Sequence, residues 1–340
     1  MTRLLPVPVL PVPAKQSYRV TNWPACNRSL VTRGQVTLWL HEEVQLGWRA
    51  SGGKGIRASD AAILCALSLR AACKLPLRQA QGLLGSLMAL LDPTAPVPLF
   101  AIGAAGGCTG GAGAGAGGAE RPVASAIDLT GLKLFGEGEW SEADQKTGWG
   151  PVFPPNAPAW QGETPGSGAS CIWQWTKEGV RSSPLSLTPS SRHDRPALPD
   201  LLAKVPGLLA SVKEPVAVVS ADKGCDSFAC HRAIPAIGAR PGIPPRTGAA
   251  ITPPPKERDA PKTCGDAVRR IHEIGVKPWK VASGYHRRSR AETAMARYKT
   301  IIGPNLRSRN RNTRITEAAV AIRCSNTFTA LGMPKAVKIA

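Results

Sequence analysis

The sequence has no long apolar run and few acidic residues. Its longest apolar segment, Leu83 to Leu91, is far shorter than the roughly 20 residues that a membrane-spanning helix needs. Prolines at positions 6, 8, 11 and 13 interrupt the mildly apolar start, which makes it a poor signal-peptide core. We therefore expect no membrane association and no export. Only 23 Asp and Glu stand against 43 Lys and Arg, and the net charge of +20 favours a polyanionic partner, with nucleic acid as the first candidate.

Several short motifs of common enzyme classes are also missing. The nine cysteines are scattered, with no CxxC pair and no His at zinc-ligand spacing, so we interpret them as reduced thiols of a cytoplasmic protein. No Gly-Lys-Ser/Thr follows the glycines of 101–120, which excludes a phosphate-binding loop there. A Ser-His-Asp hydrolase is not supported, because no nucleophile elbow is present. The neighbours Cys230 and His231 are interpreted as ordinary packing or surface residues.

Composition divides the N-terminal part of the chain into three segments. Residues 1–20 are predicted to form a Pro-rich extended lead, and residues 21–98 a helical N-terminal domain. Within that domain, two apolar runs meet at Pro76, and they predict two helices that could read DNA as a helix-turn-helix or simply pack together. The third segment is 99–121, in which residues 101–120 are almost wholly Gly and Ala. They cannot bury enough apolar surface to offset their ordering entropy, so we predict a linker or a disordered insertion.

The second half of the sequence places two aspartates on or after predicted strands. Asp128 lies within the β-rich segment Val123 to Phe135, and Asp222 directly follows the short apolar run Val216 to Ser220. Between them, residues 141–192 are dominated by Pro, Gly and Ser without a clear period. We predict that this segment is irregular.

Four residues near the C-terminal end form the pattern Tyr-x2-Arg-x3-Glu-x6-Lys, namely Tyr285, Arg288, Glu292 and Lys299. At about 100° per residue, all four would lie within an arc of ~60° on one helix face. Between positions 277 and 314, Glu292 is the only acid among eleven Lys or Arg. A carboxylate in such surroundings suits the binding of a metal ion whose phosphate ligands are held by the neighbouring cations.

Simpler structural interpretations of these residues stay open. Ser289 and Glu292 also match a capping box, in which Tyr285 and Arg288 would lie outside the helix. The basic run could be a solvated face that attracts nucleic acid without catalysis. The two strand aspartates could each cap a helix or begin a turn.

Taken together, these segments resemble the DDE transposases of bacterial insertion sequences that carry a Tyr-Arg-Glu-Lys signature. Three blocks are similar to the catalytic blocks of that family and follow in the same order: IDLTGLKLFGEGEW around Asp128, ADKGCDSFACHRAI around Asp222 and GYHRRSRAETAMARYK around Glu292. Three further segments are similar to its flanking regions: TNWPACNRSLVTRGQVTLWL, LSLRAACKLPLRQAQGLLGSL and TALGMP.

The resemblance implies an α/β fold with an RNase H-like mixed sheet and flanking helices, the catalytic domain spanning 122–335. It implies that Asp128, Asp222 and Glu292 are the catalytic residues and hold two Mg²⁺ ions, for which Mn²⁺ can substitute. Two such ions about 3.5 to 4 Å apart can activate an attacking oxygen and stabilise a leaving one.

The implied substrate is double-stranded DNA, both at the element ends and at the target. Phosphate contacts position DNA without reading its sequence, and the residues expected to make them are Tyr285, Arg288, Lys299, Arg287 and Arg290. A homodimer on DNA is a further expectation from the resemblance. The implied location is the bacterial cytoplasm, in association with the nucleoid.

Two segments depart from the family pattern. After Glu139 the family would continue into two more strands of the core sheet, whereas 141–192 does not read as strands, and the Gly/Ala tract replaces an ordered helical connection. Both departing segments begin and end abruptly beside well-matched blocks, as expected of a transposase copy damaged by a shift of the reading frame. The alternative hypothesis is therefore a catalytically inactive transposase remnant, or a basic DNA-binding protein whose acids are structural.

Overall fold

A computed structural model describes residues 17–50, 57–98, 124–134, 167–175, 180–189, 198–200, 202–203, 216–249, 263–308 and 311–339. Within these residues the chain is a mixed α/β protein, rich in helices and containing two sheets. The predicted Gly/Ala linker and most of the predicted lead lie outside them. None of the helices among the described residues is long and apolar enough to cross a membrane.

The N-terminal part is helical, as predicted. Ser59 caps one helix by accepting a hydrogen bond from the Ala62 amide at 3.2 Å, and Pro76 separates that helix from the next. A short 3₁₀ turn at Val36–Leu38 precedes the second of the four helices, which are α1 (Trp23–Arg33), α2 (Glu42–Leu46), α3 (Asp60–Ala72) and α4 (Leu77–Leu91).

The end of the predicted lead is a strand. Residues Ser17–Val20 (β1) pair antiparallel with Ala336–Ile339 (β8), so that the two ends of the described chain form a two-stranded sheet. Tyr and Val favour strands, but the partner lies more than 300 residues away, and a local pattern cannot show it.

The larger sheet has a strand order of β4-β3-β2-β5-β6. Strand β2 runs antiparallel to β3, and β3 antiparallel to β4, whereas β2, β5 and β6 run parallel to one another. A short strand β7 pairs in parallel with the far end of β2. The bounds are β2 (Ala124–Leu134), β3 (Ser167–Trp175), β4 (Val180–Pro189), β5 (Val218–Ser220), β6 (Arg240–Gly242) and β7 (Asn305–Leu306).

The structure differs from the sequence prediction within 141–192. Two ordered strands, β3 and β4, lie in the segment that was expected to be irregular. Strand β3 pairs with β2 over nine positions and with β4 over another nine. Such backbone hydrogen bonding does not depend on a strong apolar period in the sequence. The high content of Ser, Gly and Pro hides the short alternation of Leu185-Ser186-Leu187. The segment thus contains two strands where the sequence predicted irregular structure.

The C-terminal helices join the two halves of the chain. Val320, Cys324 and Phe328 are buried in one core cluster with Trp39 and Leu84 of the N-terminal part. The N-terminal helices thus share a core with the last helix. The helices of this half are α5 (Phe228–Ala236), α6 (Thr263–Ile274), α7 (Val276–Ala282), α8 (Ser289–Ile301) and α9 (Arg311–Ala330).

Candidate active site

Strand β2, which carries Asp128, pairs in parallel with β5, the strand that precedes Asp222. Ser125 lies opposite Val219, and Ala126 lies opposite Ser220. Neighbouring strands lie about 4.8 Å apart, so the two backbones are close at these pairs. Asp128 lies two residues beyond the last pair on β2, and Asp222 lies two residues beyond it, after the end of β5.

Asp222 begins a 3₁₀ turn directly after β5. Its Oδ1 accepts a hydrogen bond from the backbone amide of Cys225 at 3.1 Å. Glycine at position 224 leaves room for the carboxylate, since a Cβ there would lie 3.2 and 3.3 Å from its two oxygens. Asp222 is half-buried.

Tyr285 lies within electrostatic reach of two of the predicted acids. Burial raises the pKa of the Tyr285 phenol above its ordinary value, Arg288 opposes this rise, and the carboxylates of Asp222 and Glu292 add to it. The ring packs against Trp279, with 6.0 Å between the ring centroids. The structure therefore brings Asp222, Tyr285 and Glu292 into one region.

Glu292 forms an ion pair with Arg288. The distance from Nη1 of Arg288 to Oε1 of Glu292 is 2.7 Å, and the glutamate side chain is 58% exposed whereas that of the arginine is 16% exposed. The capping box considered from the sequence is not formed. Arg288 is the residue before the helix, no side chain caps it, and the Ser289 hydroxyl donates to the carbonyl of His286.

The prediction that all four signature residues share one helix face is wrong for Tyr285 and Arg288. Tyr285 and Arg288 lie in a 3₁₀ turn, Tyr285–Arg288, and the α-helix begins only at Ser289. Gly284, with φ of 74°, starts this turn in the left-handed region, which breaks the continuity with α7. A 3₁₀ turn is wound more tightly than an α-helix. Tyr285 and Arg288 therefore lie at different positions relative to Glu292 from those predicted for one continuous helix.

Helix α8 packs against the sheet by the face next to Glu292. Its buried face, Ala291, Ala294, Met295 and Tyr298, packs in a cluster with Leu306 and the last helix. Residue contacts also join α8 to β2, the strand of Asp128.

The remaining predicted DNA-contacting residues occupy other parts of this element. Lys299 lies two helical turns beyond Glu292, about 10 Å along the axis, and is half-buried. Arg290 is exposed and Arg287 is half-buried. No described contact joins these three side chains to Asp222.

A buried polar network next to the site was missed by the sequence interpretation. Nε2 of His231 lies 3.0 Å from Oδ1 of Asp226, and its Nδ1 lies 3.2 Å from the hydroxyl of Thr263. The other carboxylate oxygen of Asp226 accepts a hydrogen bond from the Arg246 amide at 2.8 Å. Burial alone would raise the pKa of Asp226, but the bonds from His231 and the Arg246 amide lower it below its ordinary value.

This network holds the turn that follows Asp222. The five-residue spacing from Asp226 to His231 spans the end of the turn and the first part of α5, so it matches no helical or strand period. The only sequence signal is an acid and a histidine next to a predicted helix start.

The donor chemistry of the site suits a hard divalent cation. Asp222 and Glu292 carry carboxylate oxygens, the ligands that Mg²⁺ prefers, and Asp128 lies on β2, the strand that pairs with β5. Among the described side chains there is no group of three His, Cys, Asp or Glu already arranged around a metal position. Glu292 would have to exchange its bond to Arg288 for a metal ion.

Two family models match the chain, and both are described as a transposase DDE domain. One covers residues 31–137, which include Asp128, and the other covers residues 184–327, which include Asp222 and the whole Tyr-Arg-Glu-Lys pattern. No solved structure matches the chain.

Proposed function

We propose that this chain, which belongs to the DDE transposases of insertion sequences, binds the ends of its element and catalyses metal-dependent strand cleavage and strand transfer. The observation that carries the proposal is the parallel pairing of β2, the strand of Asp128, with β5, the strand that precedes Asp222. The pKa of Tyr285 supports it, because Asp222 and Glu292 both act on that phenol.

The proposed catalytic core is RNase H-like. Its support is the order of the larger sheet: on one side of the strand of Asp128, β3 and β4 continue the sheet by antiparallel pairing, and on the other side β5 and β6 continue it by parallel pairing. Helix α8 then covers the sheet with Glu292 near its start.

Asp128, Asp222 and Glu292 would hold two Mg²⁺ ions, or Mn²⁺ in their place. Bound there, such ions would activate the attacking oxygen and stabilise the leaving one. The hydrogen bond from the Cys225 amide fixes one oxygen of Asp222, so this carboxylate is oriented before any ligand arrives. Arg288 holds Glu292 in the same way, by an ion pair that a ligand would have to replace.

Two in-line displacements at phosphorus make up the proposed reaction. In the first, a water oxygen attacks the phosphodiester at the element end, and the 3′-oxygen leaves with a proton as a free hydroxyl. In the second, that hydroxyl attacks a target phosphodiester, and the target's own 3′-oxygen leaves. The number of phosphodiester bonds is conserved in the second step, so no high-energy cofactor is needed.

The cationic residues around the site are proposed to hold DNA phosphates. Arg288 and Lys299 supply the charges of the signature, and Arg287 and Arg290 extend them along the turn and the helix start. The Tyr285 phenol, like any tyrosine with a pKa of about 10 or above, keeps its proton at neutral pH and can donate a hydrogen bond to a phosphate oxygen. These contacts would fix the register of the DNA without reading bases.

The remaining proposals follow from the same assignment. The helical pair α3 and α4 is proposed as the end-binding part of the N-terminal domain, and a homodimer is proposed to join two element ends on nucleoid DNA. The alternative is an inactive remnant that only binds DNA. The observation that favours this alternative is the ion pair of Glu292 with Arg288 at 2.7 Å, which gives this acid a structural role.

A strand-transfer assay tests the active enzyme. Full-length protein would be incubated with a duplex of the element end, a target plasmid and Mg²⁺ or Mn²⁺. We expect joined product from wild type and a loss of about a hundredfold or more for Asp128→Asn, Asp222→Asn and Glu292→Gln. Glu273→Gln is the matched control, since this exposed acid pairs only with Arg270 on α6.

DNA affinity, measured by fluorescence anisotropy, should stay within about threefold for all four variants, because phosphate contacts and not these acids provide the affinity. Folded wild type that binds the duplex but gives no metal-dependent product would favour the inactive remnant. Full activity of Asp222→Asn would refute the assignment of the site.

A further inference from the structure

A cleft of about 280 Å³ lies between the N-terminal helices and the C-terminal half. Helix α3 and the residues just after it form one wall, and the segment between α8 and β7 together with α9 forms the other. The lining includes three cationic side chains, Arg70, Lys74 and Arg307, and one acid, Glu317.

Both carboxylate oxygens of Glu317, the acid in the cleft, already accept hydrogen bonds. Oε1 of Glu317 accepts from Nη2 of Arg70 at 2.9 Å, and Oε2 accepts from the backbone amides of Arg307 at 3.0 Å and Ser308 at 2.8 Å. Its side chain is only 12% exposed. It therefore neutralises Arg70 and presents little negative charge to the cleft.

The other two cations are not neutralised. Both Lys74 and Arg307 are exposed, and in the part of the chain that the structure describes neither forms an ion pair. Nζ of Lys74 donates to the carbonyl of Thr300 at 3.3 Å, which places it at the end of α8. The Nε of Arg70 is buried and has no hydrogen-bond acceptor among the described residues. Uncompensated positive charge around a concave site favours an anion.

We infer that this cleft binds one backbone phosphate and deoxyribose of the element-end DNA, outside the catalytic site. Lys74 and Arg307 contact the phosphate, and the apolar wall that includes Leu67, Ile302 and Val320 contacts the sugar. The inference rests on the proposed function, and it adds a binding residue from the N-terminal part, Lys74, which lies outside the signature.

The position of the cleft along β2 gives its distance from the catalytic residues. Strand β7 pairs with Lys133 and Leu134, and Arg307 directly follows β7. Lys133 lies five residues beyond Asp128 on the same strand, which is about 17 Å at ~3.3 Å per residue. At about 3.4 Å per base pair, this span corresponds to about five base pairs of a duplex that runs along β2. For a duplex with that course, we expect the phosphate in the cleft about five nucleotides from the bond that is cut.

A methylphosphonate scan of the DNA tests this position. Element-end duplexes would each carry one neutral methylphosphonate, at successive positions from the cleaved bond, and binding to full-length protein would be measured by anisotropy. Wild type should lose about five- to tenfold in affinity when the substitution lies four to six nucleotides away, because one charged contact is lost. Lys74→Gln and Arg307→Gln should bind the unmodified duplex three- to tenfold more weakly and should no longer respond to the substitution at that position.

A matched control and two further readouts complete the test. Lys338→Gln removes one exposed charge from β8 and should keep the full response. Each cleft variant should lower the salt slope of log K by about one, and unchanged thermal unfolding shows that it is folded. If wild type shows no position-dependent loss, or if both cleft variants keep it, the inference is overturned. If wild type neither binds nor cuts the duplex, the proposed function itself fails.

Discussion

Replacement of Glu317 by alanine should destabilise the protein by about 3–5 kcal/mol. Its partner Arg70 is 8% exposed and Glu317 is 12% exposed, so removal of the carboxylate would leave a buried, uncompensated guanidinium. The amides of Arg307 and Ser308 would lose their acceptor as well, although water can replace part of that loss. The ion pair therefore dominates the expected effect.

Urea unfolding followed by tryptophan fluorescence measures this loss. Trp39 and Trp48 are buried in the core cluster shared by the N-terminal helices and α9, so their emission reports the structure that Glu317 holds together. With a slope of about 3 kcal/mol per molar, the midpoint should fall by about 1 M or more. Glu273→Ala is the control, because its ion pair with Arg270 is about half exposed, and we expect a change of less than about 0.5 kcal/mol.

The double variant Arg70→Met/Glu317→Leu distinguishes the net contribution of the ion pair from the cost of leaving one buried charge unpaired. Replacing both charges by apolar side chains of similar size should cost much less than Glu317→Ala alone, because no unpaired charge stays buried. A loss below about 1 kcal/mol for Glu317→Ala, or an equal loss for Glu273→Ala, would refute the reasoning.

Three further predictions use the turn after Asp222 and the nearby phenol. The pKa of Asp226 is lower in the folded protein than its value near 4 in the unfolded chain, so the ionised carboxylate stabilises the fold above pH 4. This stability is lost as the pH falls through the folded pKa. The difference in unfolding free energy between wild type and Asp226→Asn, measured in urea, should therefore shrink from pH 6 to pH 3. Gly224→Ala should reduce strand cleavage about tenfold, since the new Cβ would meet the Asp222 carboxylate at 3.2 Å, whereas Gly82→Ala, with nothing within 4 Å, should leave cleavage unchanged. The phenol of Tyr285 should titrate above its ordinary pKa of about 10, as the absorbance difference between wild type and Tyr285→Phe at 295 nm would show; a midpoint below 10 would contradict the burial argument.

Much of the local structure could be predicted from the sequence, because its causes are local. Ser59 begins α3 and Pro76 separates it from α4, as the capping and breaking signals indicated. The apolar run before Asp222 does form a buried strand, with Val219 1% exposed. The signature pattern and the two aspartates also indicated the family to which the chain belongs.

The details of the candidate site were less predictable. Whether Tyr285 and Arg288 continue a helix or form a 3₁₀ turn depends on a small difference in backbone energy, which Gly284 and the packing of Trp279 decide. The network of Asp226, His231 and Thr263 joins three elements across 37 residues of sequence, so no local period could reveal it.

The sequence by itself determined the charge, the strand and helix that carry the acids, and the order of the family's blocks, because each depends on residues that are neighbours along the chain. Only the tertiary structure decided that β3 and β4 complete the sheet beside Asp128, and that α9 joins the N-terminal helices in one core. The cleft around Arg70 and Glu317 exists for the same reason, since it lies where these distant segments meet. Strand pairing and shared burial are gained between segments that are far apart in sequence, and a local pattern carries no record of which segment will be the partner.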